Sequence, residues 1–297
     1  MIKNSSINRI IRMTLLLFVL FLLYFFPNAK NEYSLKTMST SSNNYHDIYL
    51  IDKNNYVAKT TISVKSIEKE KLAQDLLESL IINSRNKSKI PSGFKASIPE
   101  NTKIQKVKVM NEYITVSLSS EVLKTSHKER MIESIVYTLT SISNIKHVNI
   151  LINEKENDFF KNDYTRNIGI NKKVDITSLN DISSVTLYYV NKENSVNYYI
   201  PVTKYINSNE DKVKIIIDEL SSKSSYESNL MSYLNYETKL MSYTLDDKDL
   251  NLYFNDAILN SKEDNKILEE VIYSISYSIK DTIEVSNIHF FVNDKEI

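Results

Sequence analysis

The fold of this chain is decided by one stretch, Tyr113-Ile114-Thr115-Val116-Ser117-Leu118-Ser119, and by its counterpart Asp249-Leu250-Asn251-Leu252-Tyr253-Phe254-Asn255, 136 positions later. Hydrophobic residues occupy every second position in both stretches, which is the period of a strand with one buried face. The same offset matches residues 131–139 with 267–275, and an offset of 140 matches 148–155 with 288–295. A shared pattern of this length indicates two copies of one domain.

Each copy begins with two predicted strands joined by a polar turn. They are Ile48–Asp52 and Tyr56–Val64 in the first copy, and Val185–Val190 and Val196–Val202 in the second. All four are rich in β-branched and aromatic residues, which favour strands. Pro201 has no N–H to donate to a neighbouring strand, so we expect its strand to lie at the edge of a sheet.

The rest of each copy has the pattern of a helix, a hairpin, a second helix and a final strand. Leucines that recur at helical spacing from Leu72 onward indicate the first helix. In the hairpin, Val107 and Val109 are expected to point inward, with Tyr243 and Leu245 as their counterparts. The order β-β-α-β-β-α-β predicts an α+β fold in which each copy is a mostly antiparallel sheet with two helices on one face.

The repeats divide the chain into five predicted segments. They are an N-terminal membrane anchor or signal segment (1–27), a spacer (28–44), a first domain (45–155), a linker (156–183) and a second domain (184–297). Each domain is long enough to bury its own core. The linker is charged and Asn-rich, but Phe159, Phe160 and Ile168 predict that part of it docks on a domain.

The N-terminal segment has the pattern of an exported protein. Cationic residues up to Arg12 precede an apolar run that ends at Phe26, which favours a cytoplasmic N-terminus. As an uncleaved anchor, the run from Ile10 is roughly 25 Å of helix, against a hydrocarbon core of ~30 Å. As a cleaved signal peptide, it would end at Ala29 with the disfavoured Pro27 before it. We expect a single-pass membrane protein with both domains extracytoplasmic, and cleavage stays open.

Composition excludes several functional classes. The charge is balanced at 37 basic and 37 acidic residues, without a basic stripe, which argues against nucleic acid as a partner. Only two glycines occur, which excludes the glycine-rich loops that bind phosphates and dinucleotides. The lack of cysteine excludes thiol nucleophiles, thiolate metal sites and a lipidated cysteine. We expect no cofactor.

No constellation of residues predicts catalysis or metal binding, so we expect a protein that is not an enzyme. The four histidines lack any metal-ligand spacing. Glu133 and Glu269 share one position of the second helix in the two copies, where a solvated polar face is expected. Exposed tyrosines favour binding sites, so Tyr198, Tyr199 and Tyr236 form the candidate partner-binding surface.

Several fold-making motifs surround the first hairpin. They are Ile98-Pro99-Glu100-Asn101-Thr102-Lys103-Ile104, Ser120–Leu123, Tyr137-Thr138-Leu139 and the strand Val148–Asn153. Together they resemble the GerMN domain family of sporulation and spore-germination proteins, and the resemblance covers about 45–155 and 184–297. The second copy departs from the pattern, because Leu234-Asn235-Tyr236-Glu237 replaces the proline-containing approach to the hairpin. The lipoprotein cysteine of some relatives is also missing.

The resemblance implies a non-enzymatic role in endospore formation or germination, with domains similar to the ring-building modules of envelope assemblies. We expect a membrane-anchored scaffold that binds other envelope or sporulation proteins through sheet edges or the tyrosines of the second copy. Two alternatives stay open. One is an extracytoplasmic module that binds peptidoglycan or another ligand, and the other is a cell-wall hydrolase, which would need two carboxyl groups in one pocket. The sequence does not indicate an oligomeric state.

Overall fold

A computed structural model of the protein describes residues 45–172, 182–222, 230–261 and 265–297. The predicted membrane segment and spacer, residues 1–44, lie outside the described residues. Among the residues that are described, no helix combines the length and the apolar character needed to cross a membrane. Both copies belong to a single unit of the chain.

Both copies follow the predicted order of elements. The first copy consists of β1 (Tyr45–Ile51), β2 (Val57–Ser63), α1 (Lys69–Leu80), β3 (Ile104–Met110), β4 (Tyr113–Leu118), α2 (Lys128–Leu139) and β5 (His147–Ile152). The second consists of β6 (Ile182–Glu193), β7 (Val196–Asn207), α3 (Lys212–Ser221), β8 (Leu240–Asp246), β9 (Asp249–Phe254), α4 (Glu269–Thr282), β10 (Asn287–Val292) and a short β11 (Lys295–Glu296). The described chain is therefore a mixed α+β fold with four α-helices.

Each copy has an outer sheet built on the repeated stretch. In the first copy the order is β3-β4-β5, with β3 antiparallel and β5 parallel to β4. In the second copy the order is β8-β9-β10-β11, and β10 is again parallel to β9. The final strand is parallel because a helix carries the chain back across the sheet before the strand begins.

The first two strands of each copy do not join these outer sheets. They form one four-stranded antiparallel sheet, β1-β2-β7-β6, which both copies share. Lys59 of β2 lies opposite Tyr199 of β7, so equivalent strands of the two copies run antiparallel across the join. The prediction of a separate sheet for each copy was wrong, because the free edges of two hairpins satisfy their backbone groups by pairing with each other.

The predicted edge position of the strand that contains Pro201 was also wrong, since β7 lies between β2 and β6. Asn171 of the linker hydrogen-bonds to the backbone groups that Pro201 leaves without a partner in the neighbouring strand. Its side-chain amide donates to the carbonyl oxygens of Val57 (2.8 Å) and Pro201 (2.7 Å), and its Oδ1 accepts the N–H of Val57 (2.9 Å). A linker side chain therefore replaces the strand pairing that Pro201 prevents.

Helices cover the two outer edges of the shared sheet. The N–H of Tyr49 in β1 donates to Thr138 Oγ1 of α2 (3.0 Å), and the N–H of Tyr188 in β6 donates to Ser278 Oγ of α4 (2.8 Å). These bonds occupy equivalent places in the two copies. Because the strand edges are buried, short hydroxyl side chains on the helices satisfy donors that water does not reach.

Each copy has its own hydrophobic core. The first contains Leu76, Val116 and Ile135, and the second contains Ile216, Leu252 and Ile275 at corresponding places. Each of these fully buried side chains contributes about 1.5–3 kcal/mol relative to an exposed one. Phe160 of the linker is buried in the first core, so the predicted docking of the linker is confirmed.

The first strand of the second outer sheet is exposed where its counterpart is covered. In β3, Val107 and Val109 are half-buried and pack on the first core. In β8, Tyr243 and Leu245 lie on the core-facing side but are 36% and 49% exposed. Tyr243 and Leu245 therefore point inward as predicted, but they stay exposed because α1 packs along β3 whereas α3 packs on β6 and α4.

Candidate functional site

The two copies meet at a cluster of five side chains, Tyr49, Tyr137, Arg166, Tyr188 and Asp281, which we call the inter-copy junction. Tyr49 and Tyr188 occupy equivalent places in β1 and β6, and their hydroxyl oxygens lie 3.0 Å apart. The ring of Tyr137, from α2, packs edge-on against Tyr49, with 5.4 Å between the ring centroids. All three tyrosines are buried, so their contact is closed rather than an open cleft.

Arg166 of the linker bonds to both copies. Its Nη1 pairs with Asp281 Oδ1 at the end of α4, and its Nε donates to Thr140 Oγ1 (2.9 Å) at the end of α2. Its Nη2 donates to the carbonyl oxygen of Tyr137 (3.3 Å), and the guanidinium lies 4.8 Å from the centre of that ring. Asp281 Oδ2 in turn accepts the hydroxyl proton of Tyr188 (2.5 Å). One guanidinium therefore ties the linker to the final helix of each copy.

The electrostatics of the junction favour neutral tyrosines and a charged arginine. Burial raises the pKa of the Tyr188 hydroxyl well above its usual range, and the Asp281 carboxylate raises it further. Burial likewise raises the pKa of Tyr137. Burial alone would lower the pKa of Arg166, but Asp281 and the surrounding tyrosines raise that pKa overall. Tyr137, Arg166 and Tyr188 therefore keep their protons near neutral pH, as a structural contact requires.

A second contact between the copies surrounds Lys59. Its ammonium group pairs with Asp47 and lies 4.4 Å from the centre of the Tyr277 ring in α4. Tyr199 packs edge-on against the Tyr277 ring, with 5.2 Å between centroids. Burial raises the pKa of the Tyr277 hydroxyl to about 12, although the charge of Lys59 opposes the shift. Apolar ring faces and one paired cation thus extend the junction along the shared sheet.

The structure separates the three tyrosines that the sequence suggested as one partner-binding surface. Tyr198 is 5% exposed, its hydroxyl donates to Asp52 Oδ2 (3.0 Å), and its ring packs edge-on against Phe94. Tyr199 is half-buried beside α4, whereas Tyr236 is 58% exposed in the segment before β8. The placement of Tyr198 on a binding surface was wrong, because that side chain links the copies instead. Partner binding through Tyr199 and Tyr236 stays a prediction.

The structure does not place Glu133 and Glu269 at equivalent helix positions, because Glu269 is the first residue of α4 whereas Glu133 lies within α2 (Lys128–Leu139). Glu269 is exposed, as expected. Glu133 is 1% exposed, so its expected solvated position was wrong, and its Oε2 accepts from Arg130 Nη1 (3.0 Å). Arg130 also donates to Asn171 Oδ1 (2.7 Å), which connects Glu133 to the linker. Burial raises the pKa of Glu133, and the charge of Arg130 opposes that shift.

Two surface clefts are large enough for a small ligand. One, of about 410 Å³, lies between α2 and the linker and includes Glu129 and Glu133. Glu129 pairs with Lys172 (2.7 Å), and the side chain of Glu133 is only 2% exposed, so these two acids do not both face the opening. The other, of about 630 Å³, lies in the second copy. Its polar lining includes Asn235, Glu237, Asn255, Asp256 and Asn260.

Among the described residues, no group of three or more histidine, aspartate or glutamate side chains is arranged to hold a metal ion. His147 and His289 instead pair with nearby carboxylates. The Nδ1 atom of His147 lies 2.7 Å from Asp163 Oδ1, and that of His289 lies 2.8 Å from Glu296 Oε1. Both histidines lie on final strands of the outer sheets, where polar side chains were expected.

Sequence reasoning missed the residues that hold the copies together. Arg166 and Asn171 lie in the linker, outside both repeats, where no periodic pattern marks them. Asp281 offered a signal, because the repeat offset of 140 places it opposite Ser141. Arg166 Nη2 donates to Ser141 Oγ (3.3 Å) while Nη1 pairs with Asp281, so one side chain contacts both members of this repeat-related pair. Ser141 carries a hydroxyl in the first copy and Asp281 carries a carboxylate in the second, and this difference is the sequence signal of an asymmetric contact.

Comparison with known proteins agrees with the tandem architecture. The chain is 30% identical over 277 residues to the spore germination protein GerM of Bacillus subtilis (strain 168), a match that covers 88% of this chain and 74% of GerM. Its structure is similar to that of the tandem GerMN domains of the sporulation protein GerM from Bacillus subtilis, with a TM-score of 0.75 and 28% identity, covering 86% of this chain and 92% of that structure. The profile of the Germane family, described as sporulation and spore germination, matches residues 47–158 and 186–297. The chain therefore belongs to the Germane family and carries two GerMN-like domains.

Proposed function

We propose that this chain is a non-enzymatic scaffold of endospore formation or germination, anchored in the membrane by residues 1–27, with both domains outside the cytoplasm. In this role it binds other envelope or sporulation proteins. The sporulation part is supported by family membership and by the relative named spore germination protein. The anchor is supported by the cationic and apolar pattern of the N-terminal residues.

The inter-copy junction is the observation that carries the scaffold proposal. The shared sheet, the Arg166–Asp281 pair and the buried tyrosines join the two copies without an open hinge between them. The two outer sheets are therefore held at a fixed separation, with β3 and β8 at their edges. A protein that positions two binding surfaces needs this rigidity, because a flexible link would lower the effective concentration of the second surface.

A crosslinking pull-down tests the scaffold role. The tagged full-length chain is crosslinked and recovered from sporulating cells and, as the matched control, from vegetative cells that express it at the same level. We expect recovery of other membrane-anchored envelope proteins only from the sporulating cells. Recovery of wall fragments alone, or the same proteins at both stages, would contradict the proposal. Extraction of the membrane fraction with alkaline carbonate tests the anchor, since an uncleaved span stays in the pellet.

A second candidate function is the binding of an extracytoplasmic ligand such as a peptidoglycan fragment. The 630 Å³ cleft of the second copy favours this candidate, because its amides and carboxylates match the hydroxyl groups of sugars. Titration of the protein with soluble peptidoglycan fragments, followed by calorimetry, tests it. Asn260→Ala is the informative variant, and Asn144→Ala in the first copy is the control. Binding that is absent, or equally strong in both variants, would dismiss the cleft as the site.

A further inference from the structure

The two outer sheets differ in how their first strands are protected against pairing with another strand. Lys106 and Lys108 lie on β3, and charged side chains of this kind discourage edge pairing. Glu70 of α1 also occupies the edge, since its Oε1 accepts the N–H of Val109 (2.9 Å). In β8, Met241, Tyr243 and Leu245 are exposed, and Asp246 at its end is the only charged residue. The edge of β8 is therefore unprotected.

The geometry of the β8–β9 hairpin determines which residues of β8 point their backbone N–H and C=O groups away from the sheet. Asp246 and Asp249 close a two-residue turn, so Asp246, Thr244 and Ser242 direct their backbone groups toward β9. Tyr243 and Leu245 direct theirs outward. Among residues 45–172, 182–222, 230–261 and 265–297, no hydrogen bond satisfies the N–H of Leu245, which corresponds to the N–H of Val109 that Glu70 occupies.

We infer that β8 pairs antiparallel with β8 of a second copy of this chain, about a twofold axis at Thr244. In this register Tyr243 lies opposite Leu245 of the second copy, and these outward-pointing residues exchange backbone hydrogen bonds. Their exposed side chains meet on one face of the sheet. On the other face Thr244 lies opposite its own equivalent, and Ser242 lies opposite Asp246. The strand is therefore complementary to itself, apolar against apolar and polar against polar.

The other strand edges make this association a closed dimer. A twofold pairing uses the free edge of both copies, so no edge is left to extend the assembly. The opposite edge of the same sheet, β11, has only two residues, and both are charged. The edge of β3 is protected against pairing by Lys106, Lys108 and Glu70. Because the paired strand is short, the buried area is small and we expect a dimer that dissociates on dilution.

Disulfide trapping in the full-length chain, purified in detergent, tests the register. The chain contains no cysteine, so a single introduced cysteine reports one contact. In the proposed dimer the two residues at position 244 form a directly opposed pair without backbone hydrogen bonds, about 4.5 Å apart at Cα, which a disulfide can span. Thr244→Cys should crosslink under mild oxidation. Ser242→Cys is the matched control, because its two copies lie roughly 13 Å apart in this register.

We expect at least a tenfold higher yield of crosslinked dimer for Thr244→Cys than for Ser242→Cys or for Lys108→Cys, the equivalent position of β3. Adding Leu245→Lys to Thr244→Cys should abolish the crosslink while the circular dichroism spectrum stays unchanged. Equal yields from the three single variants would overturn the proposed register. If Leu245→Lys leaves the crosslinking yield of Thr244→Cys unchanged, pairing with a second copy is overturned. Crosslinking of Thr244→Cys to a different protein in cells would overturn it as well. None of these outcomes depends on whether the scaffold binds other envelope proteins.

Discussion

Tyr49 and Tyr188 meet hydroxyl to hydroxyl at 3.0 Å, and they occupy equivalent positions in the two copies. Tyr188 donates its only hydroxyl proton to Asp281 Oδ2, so Tyr49 is the donor between the two tyrosines. A directed chain of hydrogen bonds therefore runs from the first copy through Tyr188 to the last helix of the second. Repeat-related residues thus play different roles in one asymmetric contact.

Removal of the Tyr188 hydroxyl should destabilise the protein more than removal of the Tyr49 hydroxyl. Tyr188→Phe leaves Asp281 Oδ2 without its hydroxyl donor and the Tyr49 hydroxyl without its acceptor, whereas Tyr49→Phe removes only the first donor of this series of hydrogen bonds. We expect losses of about 2–3 kcal/mol and about 1 kcal/mol in the free energy of unfolding. Urea denaturation of both variants measures the difference. Equal losses would mean that the hydroxyl contact has no direction.

Arg166→Met should destabilise the protein strongly, because it leaves the largely buried Asp281 carboxylate without its cation. The side chains are 25% and 15% exposed, so we expect a loss of about 3 kcal/mol, at the low end for a buried pair. The double variant Arg166→Met/Asp281→Leu should recover part of that loss, since no unpaired charge remains. Thermal and urea unfolding check both. A double variant that is less stable than Arg166→Met would contradict the role of Asp281 as the partner.

Asn171→Gly should weaken the join between β2 and β7. The backbone at Asn171 has φ +47°, which glycine adopts without strain, so the substitution removes only the side chain and its bonds to Val57, Pro201 and Arg130. We expect a loss of about 2–4 kcal/mol, because buried backbone groups lose their partners. Asn144→Gly is the control, since Asn144 is exposed with φ +63°, and it should change stability little. Similar effects of both would show that backbone conformation is responsible.

Glu133 should make the stability of the protein depend on pH. Burial raises its pKa above the ordinary 4.5, so the folded state binds this proton more readily than the unfolded state. The stability that protonated Glu133 contributes is complete below the unfolded pKa and is lost as pH rises through the folded pKa. Relative to Glu133→Gln, the wild-type protein should therefore lose stability as the pH rises above 4.5, as measured by urea unfolding.

Glu269→Gln is the matched control for this pH dependence. Glu269 is the first residue of α4 and is exposed, so this variant reports the effect of removing a carboxylate that is not buried. A flat difference between wild-type protein and Glu133→Gln would show that Arg130 compensates fully for the burial of the carboxylate. In that case Glu133 would bind its proton equally in the folded and unfolded states.

The elements and their order were predictable because they depend on local patterns. The alternation around Val116 and Leu252 predicts strands, and the repeat predicts two copies with the same order of elements. The family resemblance rests on the fold-making motifs around the first hairpin, and the family is confirmed. The site was less predictable. Of the three suggested tyrosines, Tyr198 is a buried link between the copies, because its hydroxyl finds a partner, Asp52, that is distant in sequence.

The sequence by itself determined what periodicity and composition can encode: two repeated units, strands and helices with one apolar face, no cysteine and almost no glycine. The tertiary structure alone decided how the units join. Pro201 lies inside a sheet because the side chain of Asn171, 30 positions away, hydrogen-bonds to the backbone groups of Val57 and Pro201. Glu133 is buried within α2 beside Arg130, which also donates to Asn171 of the linker, whereas Glu269 at the start of α4 is exposed. Such contacts join residues that are far apart in the chain, so no local sequence pattern predicts which residues will meet.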